Sequence, residues 1–294
     1  MFNLIKSIAI IIFMILLQLS IYNLLLKPII TTWGASEKEV SMPMVGDEKS
    51  LTITSTRAIL IDAPKSDVWK WLMQLGADRN GFYSYPFIEK SMGYKNRNLN
   101  LIKPEFNDLK VGDVVRGSID EKSSIIPYNF RVIYCKSDEA FVLDNWGTFL
   151  LEKINDQQTR LVIRTQERKS SNLLVKAAQY ITIPLHFIME RRMLIGIKAR
   201  AEVGEGTQLS EIEDEFWFSG IALSGILVSI LVFLGRGIIQ SVIIPVVFSV
   251  FWLCSLLLCS PIPLYSIGLL LMVGSYILYV IRTRSERNSL SPES

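Results

Sequence analysis

Four long apolar runs and one stretch of short, alternating segments divide the chain. The first run, Ile8 to Leu26, is broken only by Gln18, Ser20 and Asn23 and is flanked by Lys6 and Lys27. Its length suits one bilayer crossing, which takes about 20 residues. It reads either as an uncleaved anchor or as a cleaved signal. Its excess over a signal core and the lack of a nearby small-x-small site favour an anchor over residues 1–27. Three further runs, Phe216–Leu234, Ile238–Leu258 and Ile262–Ile281, predict three transmembrane helices within 216–281. They are separated by Gly235-Arg-Gly237 and Ser260-Pro-Ile-Pro263, and Pro245 inside one of them is tolerated better in a membrane helix than in a soluble one. Residues 282–294 read as a basic, disordered tail carrying Arg282, Arg284 and Arg287.

Between these runs the pattern changes. Residues 28–50 show no periodicity and read as a linker. From 51 to 206 the chain reads as one soluble domain. Ala58–Ile61 predicts a strand buried on both faces. Pro64 suits a first helical turn, with Asp62 before it as a cap, and Val68, Trp69, Leu72, Met73 and Leu75 recur at helical spacing until Gly76. Phe82–Met92 predicts a second short helix ended by Gly93, and Tyr94–Asn100 a polar loop. Val111–Gly117, Tyr128–Lys136, Ala140–Asp144, Trp146–Ile154 and Arg160–Arg168 follow as strands separated by polar turns, the pattern of an antiparallel meander. Asn172 to about Glu202 then predicts a long helix, with Leu173, Ala177, Tyr180, Ile181, Leu185, Ile188, Arg192 and Ile195 near one face and Pro184 bending it. The expected fold class is α+β: a curved antiparallel sheet around a long C-terminal helix, plus about four transmembrane α-helices. One helix cannot cover such a sheet, so a cavity between the two is expected.

Composition narrows the chemistry. The 294 residues are 50% hydrophobic with a mean hydropathy of +0.33, in keeping with several membrane spans. The net charge of +3 is spread along the chain, so no nucleic-acid partner is expected. Three cysteines (Cys135, Cys254, Cys259) and the single histidine, His186, supply neither a disulfide framework nor a metal site, and no cofactor is expected. Lys6, Arg236 and the tail arginines fall on one side of a four-span topology. The positive-inside rule therefore puts the termini in the cytoplasm and the soluble domain outside a multi-pass cell-membrane protein.

The segments Val68-Trp-Lys-Trp-Leu-Met-Gln-Leu-Gly76 and Arg79-Asn-Gly-Phe-Tyr-Ser-Tyr85, the Asp62-Ala-Pro lead-in, and Phe187-Ile-Met-Glu-Arg-Arg-Met-Leu-Ile-Gly-Ile-Lys198 resemble the START-like (SRPBCC) superfamily, including its polyketide cyclase-like and pollen-allergen-like members. The last segment is similar to the closing helix of a membrane-associated bacterial branch. The resemblance covers roughly half of the chain, 51–205. It implies a helix-grip fold with a deep apolar cavity for a lipid-like or other hydrophobic ligand, and it implies no particular reaction.

The cavity candidates are Trp69, Arg79, Phe82, Tyr83, Tyr85, Glu89, Asp144, Trp146, Arg164 and Met189; no catalytic residue stands out. Tyrosines offer apolar area with a hydroxyl handle, or else fix the turn between helices. Trp69 and Trp71, two apart on a helix, point to different faces, one to the core and one to a sheet edge or the membrane. Arg79, Glu89, Glu105, Asp144, Arg164 and Glu190 are the charges placed to form a buried pair near a cavity. Which face of the last strand, Leu161-Ile163-Thr165 or Val162-Arg164-Gln166, is concave does not follow from alternation. His186 has no Asp or Ser partner identifiable from spacing and reads as core or interface packing. The expected function is a membrane-tethered binding or transfer module for a hydrophobic small molecule or lipid, its partners being that ligand and the bilayer. The alternatives are a cyclase- or hydrolase-like enzyme in the same cavity, or a module pairing with another membrane protein through Gly220, Ala222, Ser224 and Gly225.

Overall fold

The computed structural model describes residues 2–91, 93–94, 97–119, 129–168, 171–206 and 209–289. The expectations for Met92, Tyr128 and the side chains of Ala177, Tyr180 and Ile181 lie outside the described residues. The chain forms two compact units, Met1–Lys27 with Ser210–Ser294, and Pro28–Leu209.

The first unit is helical. Among the described residues the chain has four helices long and apolar enough to cross a membrane: Ile5–Thr31, Glu211–Leu234, Ile239–Leu257 and Pro263–Glu286. Their outward side chains, among them Ile12, Phe13, Leu16, Ile226, Phe233, Phe251, Leu271 and Leu278, are exposed. Such continuous apolar surface suits lipid rather than water. The small residues meet partners within the unit. A methyl group on Gly220 would lie 2.7 Å from Ser266 Oγ, and one on Gly225 would lie 3.0 Å from the Trp252 indole nitrogen. Trp252 Nε1 donates to the Ile221 carbonyl at 2.8 Å, and Gln18 to Ser249 Oγ at 2.7 Å. Close intrachain packing thus accounts for Gly220 and Gly225.

The second unit is α+β. Helix α1 (Phe2–Ile21) belongs to the first unit; here α2 (Lys27–Thr31) precedes α3 (Glu37–Ser41), and β1 (Leu51–Ile61) leads to α4 (Lys65–Leu72) and α5 (Pro86–Ser91). Then come β2 (Val114–Arg116), β3 (Asn129–Lys136), β4 (Ala140–Leu143), β5 (Gly147–Asn155), β6 (Gln158–Arg168) and α6 (Leu173–Val203). The six strands form one antiparallel sheet in the order β1-β6-β5-β4-β3-β2. Pro64 sits at the cap position with extended backbone instead of inside α4, and the Asp62 carboxylate accepts from Gln158 Nε2 across the sheet instead of capping. Asn172 caps α6, accepting from the Leu174 N–H at 2.8 Å, and Pro184 lies within that helix.

The two sheet faces are covered differently. On the inner face Ile61, Leu161, Ile163, Phe141 and Phe149 join Trp69, Trp71, Leu72, Met193, Leu194 and Ile197 in the main core. On the outer face Ala58 and Val162 pack on Met44. Residues 28–50, read from sequence as a linker, belong to this unit: α3, capped by Ser36 and Glu39 in a reciprocal box, crosses the outer face as a strap. Arg160 pairs with Glu39 at 2.6 Å, and Arg164 donates to the carbonyls of Glu39, Val40 and Met42 and to Asp47 Oδ2. Cover on both faces explains why β6 is buried along its length from Leu161 to Gln166.

Candidate functional site

Between α6 and the inner face lies a cavity of about 500 Å³. Its wall takes Thr54, Ser55 and Arg57 from β1, Thr165 from β6, Phe130 from β3 and Trp146 from the β4–β5 turn. Phe82, Ser84 and Glu89 come from the turn and helix after α4, and Ile183, Leu185, His186, Met189, Glu190 and Met193 from α6. The volume falls within the range of about 300–1,000 Å³ usual for small-molecule sites.

Local sequence builds this wall. Residues 183, 186, 190 and 193 of α6 recur at helical spacing and share one face. On β1, Ser55 and Arg57 share the inner face. The register slips between Ile53 and Ser55, leaving Thr54 without a counterpart on β6. This bulge puts two consecutive hydroxyl residues, Thr54 and Ser55, on the cavity wall. Thr54 Oγ1 donates to the Thr165 carbonyl at 3.3 Å.

A buried ionic group spans the sheet and the long helix. The Arg57 guanidinium donates from Nη1 to Glu190 Oε2 and from Nε to the Ile30 carbonyl at 2.8 Å, and it lies over the Phe187 ring. Arg57 and Glu190 are 1% and 2% exposed, so the two side chains meet away from water and losing either would leave the other buried without this partner. His186, one turn before Glu190, places Nδ1 3.6 Å from the same carboxylate oxygen, and its ring lies 6.1 Å from that of Trp146. Burial, foremost, lowers the His186 pKa; Glu190 opposes and Arg57 assists, leaving a neutral imidazole at pH 7.

The structure divides the sequence candidates. Phe82, Glu89, Asp144, Trp146 and Met189 are on the wall. Trp69 is in the core, edge-on to Phe141, and Trp71 is buried against Tyr83, so neither tryptophan faces a sheet edge or membrane. Tyr83 is fully buried with φ 55°, its hydroxyl donating to the Trp71 carbonyl at 3.2 Å. Tyr85 is buried beside Phe87 and away from the cavity wall. Arg79 donates to the Phe106 carbonyl and stacks on that ring, fixing a turn (Pro104–Phe106) that is not part of the wall. Arg164 lies on the outer face, holding the strap. Wall residues missing from the candidate set include Ser55, Arg57, Phe130, Thr165, His186 and Glu190. The four-residue spacing of His186 and Glu190 was a readable sign of their contact, whereas nothing local to Arg57 points to α6.

No group of three or more acidic, histidine or cysteine side chains among the described residues is arranged to hold a metal ion. No protein-family model, curated protein or solved structure matches the chain.

Proposed function

We propose that this chain is a membrane-anchored protein of START-like, helix-grip kind, whose soluble unit binds a hydrophobic or amphipathic small molecule between sheet and long helix. The carrying observation is the cavity itself, walled by Phe82, Phe130, Trp146, Ile183, Leu185, Met189 and Met193. The element order and the segments around Trp69, Tyr83 and Glu190 support the family reading. The covalent link to four apolar helices keeps such a site close to a reservoir of lipid-like ligands. The charge bias of Lys6, Arg236 and Arg282 supports cytoplasmic termini with the binding unit outside. A reporter active only in the cytoplasm, fused after Ser294, should work; activity from one inserted between α2 and α3 would reverse the topology.

The binding reading is tested with full-length protein in lipid nanodiscs and an apolar, environment-sensitive fluorophore. Saturable, blue-shifted binding is expected, and Leu185→Trp, which puts an indole into the cavity, should weaken it. Unsaturable partitioning, or equal binding by the variant, would overturn the reading.

A second reading, an enzyme acting in the same cavity, draws on the His186–Glu190 pair, in which a neutral imidazole next to a carboxylate is suited to accept a proton. An enzyme of that kind would bring together in the cavity two or more of Tyr83, Tyr85, Glu89, Asp144 and Arg164; Glu89 and Asp144 are on the wall, and Tyr83, Tyr85 and Arg164 are off it. Binding is therefore the reading we favour.

A further inference from the structure

Resting on the binding reading, we infer that the cavity is a proton-linked site: an apolar ligand and a protonated His186 exclude one another, so the ligand is held at neutral pH and released in acid. His186 is on the cavity wall with Leu185 and Met189 of α6, and its ring is 6.1 Å from that of Trp146, a further wall residue. Its side chain is 38% exposed, whereas the next residue, Phe187, is fully buried and Glu190, one turn on, is 2% exposed. Water therefore reaches the ring from the cavity.

Two charges act on the ring. From its own helix, Glu190 presents Oε2 3.6 Å from Nδ1; from β1, Arg57 is joined to that same oxygen. Attraction by Glu190 and repulsion by Arg57 oppose each other at the ring, so solvation decides whether it takes up a proton. The other charged groups on the wall are Glu48 before β1, Glu89 of α5, Asp144 in the β4–β5 turn, and Glu167 and Arg168 at the end of β6.

With water in the cavity, an imidazolium at His186 is solvated on its exposed side. An apolar ligand displaces that water and offers no hydrogen bond or charge in return, so occupancy penalises the charged ring further. The factor by which the ligand weakens proton binding is then the factor by which the proton weakens ligand binding. While the ring is neutral in both states, affinity is independent of pH. In acid the empty site holds a proton that the occupied site must release, and affinity falls by up to about tenfold per pH unit until the occupied site also protonates.

His186 is the chain's single histidine, so isotope-labelled histidine reports on it alone. The full-length protein, in nanodiscs of zwitterionic phospholipid, is titrated from about pH 7.5 down to the pH at which thermal melting shows the fold is lost. The titration is run with and without an uncharged, environment-sensitive fluorophore, whose dissociation constant is measured at each pH. The imidazole should titrate at least about one pH unit lower in the loaded protein than in the ligand-free protein, and affinity should fall at least about tenfold across the range. His186→Gln cannot take up the proton, and its affinity, whatever the starting value, should vary less than about twofold. A titration point indifferent to the fluorophore overturns the linkage while the binding reading stands. So does a ring that stays neutral to the acid limit of the fold, or an equal loss of affinity in His186→Gln. Failure of the fluorophore to bind at the neutral end overturns the binding reading first.

Discussion

Replacing Glu39 by glutamine probes the strap that closes the outer face of the sheet. Arg160's hydrogen bond, more than any other influence, holds the Glu39 carboxyl at about 2 against an ordinary 4.5. At 1.36 kcal/mol per pH unit that difference has a ceiling of about 3.4 kcal/mol. Solvent reaches the Arg160 end of the pair, whose side chain is 19% exposed, so about 2 kcal/mol is the working figure. Because the folded pKa is depressed, the contribution is fully present above the unfolded value of 4.5 and is lost as pH falls toward 2. Unfolding of the full-length protein in detergent, followed by tryptophan fluorescence in denaturant, gives the comparison. The gap between wild type and Glu39→Gln should be about 2 kcal/mol at pH 6, shrink steadily below about pH 4.5 and approach zero only near about pH 1. A gap that does not change with pH, or one below about 0.5 kcal/mol at pH 6, would refute the pairing as a source of stability.

Arg164→Lys keeps the charge but loses the planar fork that serves three strap carbonyls and Asp47, and should cost about 2–3 kcal/mol by the same denaturation while leaving fluorophore affinity at the wild-type value. Gly196→Ala places a methyl group 2.5 Å from the Tyr83 carbonyl oxygen; prising the aromatic turn off α6 should cost about 1–3 kcal/mol, read as a lowered melting temperature. His186→Gln addresses pH: burial disfavours the charged ring, so below about 6.5 the unfolded chain takes up a proton that the folded chain resists, and stability falls. The variant should flatten the profile below about pH 6.5, and an unchanged slope would contradict a desolvated, neutral imidazole.

Much of the soluble fold was legible because strands and helices leave local periods. The alternation around Phe141, Phe149 and Ile163 marks β4, β5 and β6, and the apolar spacing from Val68 to Leu72 marks α4. The strap went unread although Ser36 and Glu39 carry the spacing of a capping box; the rest of its hold, backbone carbonyls gripped by Arg164, imposes no pattern on its own side chains. For the same reason the inner face of β6 stayed ambiguous: Leu161 and Val162 are equally buried, one by the core and one by the strap. Within the site, Trp146 and Met189 were found as apolar residues beside predicted turns and helices. Tyr83 and Tyr85 were misplaced because Gly196 lets the turn slide under α6, a close approach with no local signature in the turn itself. Arg57 and Glu190 meet only once the sheet and helix are assembled.

The most direct test of the central claim is native mass spectrometry of the full-length chain released gently from the membranes in which it was made. A bound apolar molecule at near-stoichiometric level is expected on the wild type and should be less abundant on folded Leu185→Trp, whose indole narrows the cavity. A bare wild-type chain with its fold intact, or an adduct equally abundant on the variant, would contradict the cavity as a binding site.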